Sequence, residues 1–305
     1  EAVGPEELLA APAASGVPVN AAELAVLSAS EAPAYYLYTS GTTGNPKGAV
    51  LSNRNLFALR KNAAEQEHAY SKWEDDEVVL IAMPCAHIGG TGLGIMAMAS
   101  GLPALVQAEF SPDSVFDAIE KGGATRLFIV PAALQMMVNH PRCRSVDYSR
   151  LKYIIYGAAP IPLELLRQCM DVFSAEFIQV YGMTETTGTI CMLPPEDHDP
   201  AGNARMRSAG KPLPGVEIRI LGPDGEEVPV GDVGEVVVTT FNRAYPLIRF
   251  GTGDMSAVLA GPSPCGRTNM RIKGWMGRAD QRTKVRGMFV DPEQIAEIAQ
   301  KHPGL

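Results

Sequence analysis

The stretch KYIIYGAAPIPLELLRQCMDVFSAEFIQVY, residues 152–181, decides the fold. It opens on an apolar run, Lys152–Tyr156, and closes on another, Phe177–Tyr181, with a helical pattern over Pro162–Phe173 between them. Short, continuous apolar runs read as strands buried on both faces, and a helix of this length between two of them reads as a crossover. Upstream the same alternation recurs. Tyr35–Thr39, Val78–Met83 and Arg126–Val130 read as buried strands, and Arg54–Gln66, Gly92–Ser100, Pro112–Lys121 and Ala132–Asn139 as helices. Strand and helix in turn imply βαβ units and a mainly parallel sheet layered with helices. The expected class is therefore α/β.

Downstream of Pro194 the texture changes. Short β-type runs, Val216–Leu221, Gly234–Thr240 and Met255–Leu259, alternate with Gly, Pro and Asp turns. Asp224-Gly225 between apolar runs is a hairpin signal. The expected organisation is a linker or surface segment over 1–33, an α/β core over 34–209, a small antiparallel β subdomain over 210–280, and the start of a further domain over 281–305.

Bulk composition narrows the function classes. Of 305 residues, 46% are hydrophobic and 20% charged, which suits a globular chain with a core of its own. The net charge is −8, without a long basic cluster, so no nucleic-acid partner is expected. The five cysteines are scattered and never in C-x-x-C spacing, which fits a reducing compartment and no zinc cluster. No apolar run reaches membrane-spanning length. A cytoplasmic location is the resulting expectation. Self-association into a homo-oligomer stays open. The chain starts at Glu1, so the true N-terminus is expected to lie upstream.

The densest chemistry lies in Tyr38-Thr39-Ser40-Gly41-Thr42-Thr43-Gly44-Asn45-Pro46-Lys47-Gly48. Three glycines bring backbone N–H groups close to an anion, four hydroxyls add donors, and Lys47 supplies a point charge. That combination suits polyphosphate, although a plain Gly/Thr/Ser turn shares part of the pattern. It is not the G-x-x-x-x-G-K-[ST] loop, because Lys47 follows proline and no Ser or Thr follows it. A P-loop kinase is excluded on that ground, with no Walker-B-like Asp at a suitable strand end.

Four further clusters carry candidate roles. Tyr181-Gly182-Met183-Thr184-Glu185-Thr186 places a carboxylate beside a hydroxyl at a strand's carboxyl end, where Glu185 either caps the next turn or holds a divalent cation. Gly157-Ala158-Ala159-Pro160 is a small-residue turn between strand and helix, roomy enough for a flat ring. In Gly251-Thr252-Gly253-Asp254, an Asp between turns can accept two neighbouring hydroxyls, or simply mark a surface turn. Met83-Pro84-Cys85-Ala86-His87-Ile88-Gly89-Gly90 holds a lone histidine, which is usually structural. No partner by spacing supports Cys85 as a nucleophile.

At these residues, and in this order, the chain resembles the adenylate-forming superfamily of acyl-CoA synthetases, aryl-CoA ligases, luciferases and peptide-synthetase adenylation domains. The resemblance implies an AMP-forming ligase that joins a carboxylic acid to ATP and then to coenzyme A. It implies that Thr39–Gly44 and Lys47 bind the phosphates, that Thr184 contacts the α-phosphate, and that Glu185 holds Mg²⁺. Tyr181 with Gly182 and the Gly157–Pro160 turn would flank adenine. Asp254 would take the ribose, Arg278 would make the second ribose and phosphate contact, and Asp280 would be the interdomain hinge. His87 would wall the acyl and thiol pocket.

Two features depart from the pattern. The stretch from Asn242 to Phe250, with Cys265-Gly266-Arg267 and Val285–Pro292, is more similar to phenylacetate-CoA ligases, so the acid stays open between fatty and aryl. Ser263 stands where some of those ligases carry a second cysteine, and no metal site follows there. The superfamily's catalytic lysine in a mobile C-terminal domain has no counterpart before Leu305. The chain alone is expected to bind nucleotide and to be weakly active or inactive. An adenylation domain that loads a carrier-protein thiol is the alternative.

Overall fold

The computed structural model describes residues 33–39, 47–56, 73–241, 246–261 and 270–279, with the backbone of 283–285 and 288–290. Strands β1 (Pro33–Thr39) and β2 (Lys47–Ser52) come first and pair antiparallel, Tyr36 opposite Val50 and Thr39 opposite Lys47. Here the sequence expectation is corrected. The Tyr35–Thr39 run belongs not to the parallel sheet but to its own two-stranded hairpin. Only Leu37 and Leu51 are buried, whereas Tyr36, Tyr38 and Val50 face solvent. One dry face and one wet face is what an antiparallel ribbon permits. Ser52 and Asn55 then exchange hydrogen bonds: Ser52 N–H donates to Asn55 Oδ1 at 2.8 Å, and Asn55 N–H to Ser52 Oγ at 3.2 Å. This reciprocal cap opens the expected helix at Asn53. Its body from residue 57 onward lies outside the described residues, as do the 1–32 segment and the expected helical start over 291–305.

The central sheet has seven strands: β3 (Val79–Ile81), β4 (Ala104–Val106), β5 (Arg126–Ile129), β6 (Tyr153–Gly157), β7 (Glu176–Met183), β8 (Gly188–Leu193) and β9 (Lys211–Pro212). Their spatial order is β4-β3-β5-β6-β7-β8-β9. Every pairing from β4 to β7 is parallel, and β7–β8 and β8–β9 are antiparallel. Helices α1 (Ile88–Ala99), α2 (Pro112–Glu120), α3 (Pro131–Val138) and α4 (Leu163–Phe173) cover the sheet. The alternation along each strand assigns the layers. Phe128 and Ile155 pack with Leu93 and Ala97 of α1. Leu127, Ile129, Ile154 and Tyr156 instead join Phe116, Leu134, Leu166 and Phe173 of the other three helices. Removing each such side chain from water contributes about 1.5–3 kcal/mol, so the two faces anchor the sheet firmly. Helix α1 begins four residues before the expected Gly92, because His87 already has extended backbone and serves as its N-cap.

A second sheet of β10 (Val216–Leu221), β11 (Val233–Thr240) and β12 (Phe250–Ala257) is wholly antiparallel. The Asp224-Gly225 turn lies where the chain reverses after β10: Gly225 N–H donates to Gly222 O, and Gly225 is at φ +78°. Ile218, Ile220, Val236 and Val238 share a core with Ile190 and Cys191 of β8. That shared core fixes the small sheet against the antiparallel end of the large one. Last come β13 (Thr283–Val285) and β14 (Met288–Val290), a short hairpin.

Candidate nucleotide site

Open α/β sheets place ligands outside the carboxyl ends of their parallel strands. Here β6 and β7 reach that edge beside the antiparallel β8. Gly157 closes β6 directly opposite Val180 of β7. Ala158 follows in the left-handed region at φ 64° and is exposed, with Ala159 and Pro160 leading toward α4. A left-handed alanine is strained by roughly 1 kcal/mol or more, so the surroundings hold this turn in place. On β7, Tyr181 and Gly182 run past Val180 into a single 3₁₀ turn, Thr184–Thr186. Gly182 is pressed so closely to Gly188 O that no Cβ fits there. Thr186 Oγ1 accepts from Met183 N–H at 3.1 Å and donates to Gly188 O at 2.6 Å, locking the turn. Thr184 and Glu185 sit half-exposed on its outer side. The Thr187 hydroxyl next to them is buried without a hydrogen-bond partner, on a backbone at φ 58°.

Asp254 is brought to β7 from the small sheet. Tyr181 donates its hydroxyl to Asp254 Oδ2 at 2.8 Å, Trp275 donates its indole N–H to Oδ1 at 2.9 Å, and Arg278 Nη1 donates to Oδ1 at 3.1 Å. Arg278 Nη1 also reaches Thr252 O at 2.8 Å. Gly253, at φ +71°, leaves no room for a Cβ beside the Arg278 guanidinium. Its N–H donates to Glu235 Oε1 at 2.9 Å. Burial, and then the Asp254 carboxylate, push the Tyr181 hydroxyl well above its ordinary range, so it stays a protonated donor.

The remaining expected residues are placed less completely. His87 is exposed at the start of α1, and its neighbour Ile88 lies against Gly188, which brings that end of α1 beside the Thr184–Gly188 turn. Cys85 is likewise exposed there. Thr39 and Lys47 face each other where β1 ends and β2 begins, with Thr39 Oγ1 donating to Lys47 O at 3.4 Å. Ser40, Gly41, Thr42, Thr43 and Gly44 lie outside the described residues, as do Asp280 and Cys265. Among the described residues, then, Tyr181, Asp254 and Arg278 are in direct contact. Gly157–Pro160 and Thr184–Glu185 share one sheet edge, and Thr39 and Lys47 form a separate group.

Trp275 escaped the sequence reading. Its contact with Asp254 spans 21 positions and follows no motif spacing. The available signal is its place three residues before Arg278, on the segment bridged to Asp254.

A metal site made by protein alone is not supported. Among the described residues, no group of three His, Cys, Asp or Glu side chains could hold an ion. A single carboxylate such as Glu185 does suit Mg²⁺, which is commonly held by one or two carboxylates and completed by phosphates and water.

Comparison with known proteins gives the chain a family. The family model described as AMP-binding enzyme matches residues 4–243. The fatty acid–[acyl-carrier-protein] ligase ScoC of Streptomyces coeruleorubidus is 33% identical over 292 residues, covering 90% of this chain and 54% of that protein. The indoleacetate–CoA ligase of Aromatoleum aromaticum is 35% identical over 68% of this chain and 39% of its own length. Among solved structures, the amide bond synthetase McbA from Marinactinospora thermotolerans superposes with a TM-score of 0.71 at 26% identity, over 87% of this chain and 53% of that one. The o-succinylbenzoate coenzyme A synthetase of Bacillus subtilis, in complex with ATP and magnesium ion, gives 0.66 at 26% identity, over 90% and 56%. The chain thus spans about half the length, or less, of the relatives it matches. On the family match over well more than half of its residues, this chain belongs to the AMP-binding enzyme family.

Proposed function

We propose that this chain supplies the adenylate-binding part of an acid–thiol ligase, which activates a carboxylic acid with ATP and passes the acyl group to coenzyme A. The observation that carries the reading is the joining of Tyr181, Asp254 and Arg278 at the sheet edge that also bears Thr184 and Glu185. Ring, sugar acceptor and phosphate-side groups then follow one another along a single ledge. Relatives named as acid–CoA ligases support the chemistry, and the synthetase seen with ATP and magnesium supports the nucleotide.

In the first step, a carboxylate oxygen attacks the α-phosphorus. The bond from that phosphorus to the bridging oxygen breaks, and pyrophosphate leaves with the electron pair. Tyr181 and the Gly157–Pro160 turn flank adenine, Asp254 and Arg278 hold the ribose, and Thr184 touches the α-phosphate. Thr39–Gly44 and Lys47 meet the negative charge that leaves. Such a step depends mostly on positioning and on fixed charge, because the protein forms no bond to phosphorus. Mg²⁺, held by Glu185 and the phosphates, would neutralise charge there. In the second step, the thiol sulfur attacks the acyl carbon and AMP departs. His87 lies at the mouth where acid and thiol would meet, and a hinge at Asp280 would alternate the two half-reactions.

A carrier-protein thiol in place of coenzyme A is the second reading. It is favoured by one relative, the acyl-carrier-protein ligase, which matches nine tenths of the chain. ATP–pyrophosphate exchange across a panel of fatty and aryl acids tests the first step, and thioester capture with coenzyme A against a phosphopantetheinylated carrier separates the acceptors. In the full-length protein, exchange with at least one acid, lost in Lys47→Ala, is expected. Absence of exchange with every acid, together with no binding of AMP, overturns the proposal.

A further inference from the structure

Three protein donors converge on one carboxylate. A carboxylate has about four lone-pair positions, two on each oxygen. At Asp254, Trp275 and Arg278 fill both positions of Oδ1, and Tyr181 takes one of Oδ2. One acceptor position on Oδ2 is left, so Asp254 has room for one hydroxyl and not for the two that its sequence setting allowed. We infer that Trp275 is a positioning residue for nucleotide recognition: its indole N–H pins Oδ1 and so makes Oδ2 the oxygen offered to a ribose hydroxyl. This rests on the proposed ribose role of Asp254 and adds the group that orients it.

The backbone delivers Trp275 to this point. Lys273 N–H donates to Ala257 O, Met276 N–H to Met255 O, and Ala279 N–H to Gly253 O, so residues 273–279 lie as a ladder along β12. Ser256 Oγ donates to Gly274 O at 2.7 Å, immediately before the tryptophan. Arg278 Nη1 is shared between Asp254 and Thr252 O, whereas the indole N–H of Trp275 goes to Asp254. The indole has one N–H on a rigid ring with two torsions, and donation to a charged acceptor is stronger than donation to a neutral one. Were the ring there only to fill space, phenylalanine would serve nearly as well.

Trp275→Phe keeps an aromatic ring and removes the donor. The contact itself is read without nucleotide. The chain has two tryptophans, Trp73 and Trp275, so two indole N–H resonances are expected in a ¹H–¹⁵N spectrum, and the one lost in Trp275→Phe is assigned. Asp254→Asn should move that resonance and leave the Trp73 signal in place. An unmoved Trp275 signal overturns the inference, whether or not the chain binds nucleotide. The positioning role is read by calorimetry with AMP and 2′,3′-dideoxy-AMP. Trp275→Phe should weaken AMP about tenfold while leaving the dideoxy compound unchanged, because that ligand has no hydroxyl to present. Equal weakening of both ligands marks a merely structural residue and overturns the inference, as does undiminished binding of AMP. Failure of the unaltered chain to bind AMP overturns this inference, and the proposed function falls with it when pyrophosphate exchange is absent as well.

Discussion

At the N-terminal ends of β5 and β6, Arg126 lies between the rings of Trp73 and Tyr153, 4.1 and 4.5 Å from their centroids. Its guanidinium meets both oxygens of Glu77, at 2.7 and 2.8 Å, with both residues about 1% exposed. Beside it, Thr125 Oγ1 accepts from Val78 N–H at 3.0 Å, and Lys152 bridges Glu74 and Asp76. At the C-terminal ends of β6 and β7, the same sheet carries a left-handed Ala158, a left-handed Thr187 with an unpaired buried hydroxyl, and half-exposed Thr184 and Glu185. At the first, closed end these polar groups meet protein partners; at the second, open end the backbone is strained at Ala158 and Thr187, and the Thr187 hydroxyl is buried without a hydrogen-bond partner. Local rules are commonly broken where a protein does chemistry, and the contrast supports the proposed site without reference to any motif.

Breaking the closed end should have the largest effect. Arg126→Met leaves Glu77 buried and unpaired, and should cost about 3–5 kcal/mol in urea unfolding while AMP affinity stays within about twofold. A parallel loss of AMP affinity in folded protein would erase the contrast. At the open end, Glu185→Ala should slow pyrophosphate exchange by about 10²–10³-fold. Its melting temperature should stay within about 2 °C of the parent's, and a larger drop would class Glu185 with the closed end. Between the two ends lies His198, whose Nε2 accepts from the Tyr156 hydroxyl at 3.0 Å while Nδ1–H donates to Pro194 O at 2.9 Å. Burial lowers its pKa below the ordinary 6.5, against the weaker opposing pull of the Pro194 carbonyl and then of Asp197 and Glu196. The unfolded chain therefore binds the proton more readily. Stability should fall as pH drops through 6.5, by at most about 1.4 kcal/mol per unit, and level off below the folded value. Comparing unfolding midpoints at several pH values in His198→Gln should remove that slope. The smallest effect is expected from Ala158→Gly, which relieves the left-handed backbone and should gain about 0.5–1 kcal/mol. A loss instead would show that Ala158 is not strained.

Much of this organisation is legible from residue order. The runs at 126–130, 152–156 and 177–181 are continuous and apolar because both sheet faces are covered, and each becomes a parallel strand. The Tyr35–Thr39 run misleads for a physical reason. Its tyrosines are apolar enough to read as buried, yet Tyr36 and Tyr38 lie on the wet face of a hairpin, and composition does not distinguish the two settings. The partner strand Lys47–Ser52 mixes charge, glycine and apolar residues and gives no periodic signal. Tyr181, Asp254 and Arg278 are legible as a set through motif order, while the three-donor closure on Asp254 is not. Its partners stand up to 73 positions apart, and only tertiary packing brings them together.

Tyr181 and Glu185 occupy one ribbon, four residues apart, and the approach of Gly182 to Gly188 keeps that ribbon from sliding. A fully stretched chain covers at most about 3.6 Å per residue, so the aromatic ring and the carboxylate are mounted within roughly 14 Å of each other along the backbone. The ribbon is a ruler with a mark at each end. On the proposed reading, a base laid on the first mark puts its nearest phosphate at the second. The span open to the bound nucleotide is then capped by a covalent length that no side-chain substitution can extend.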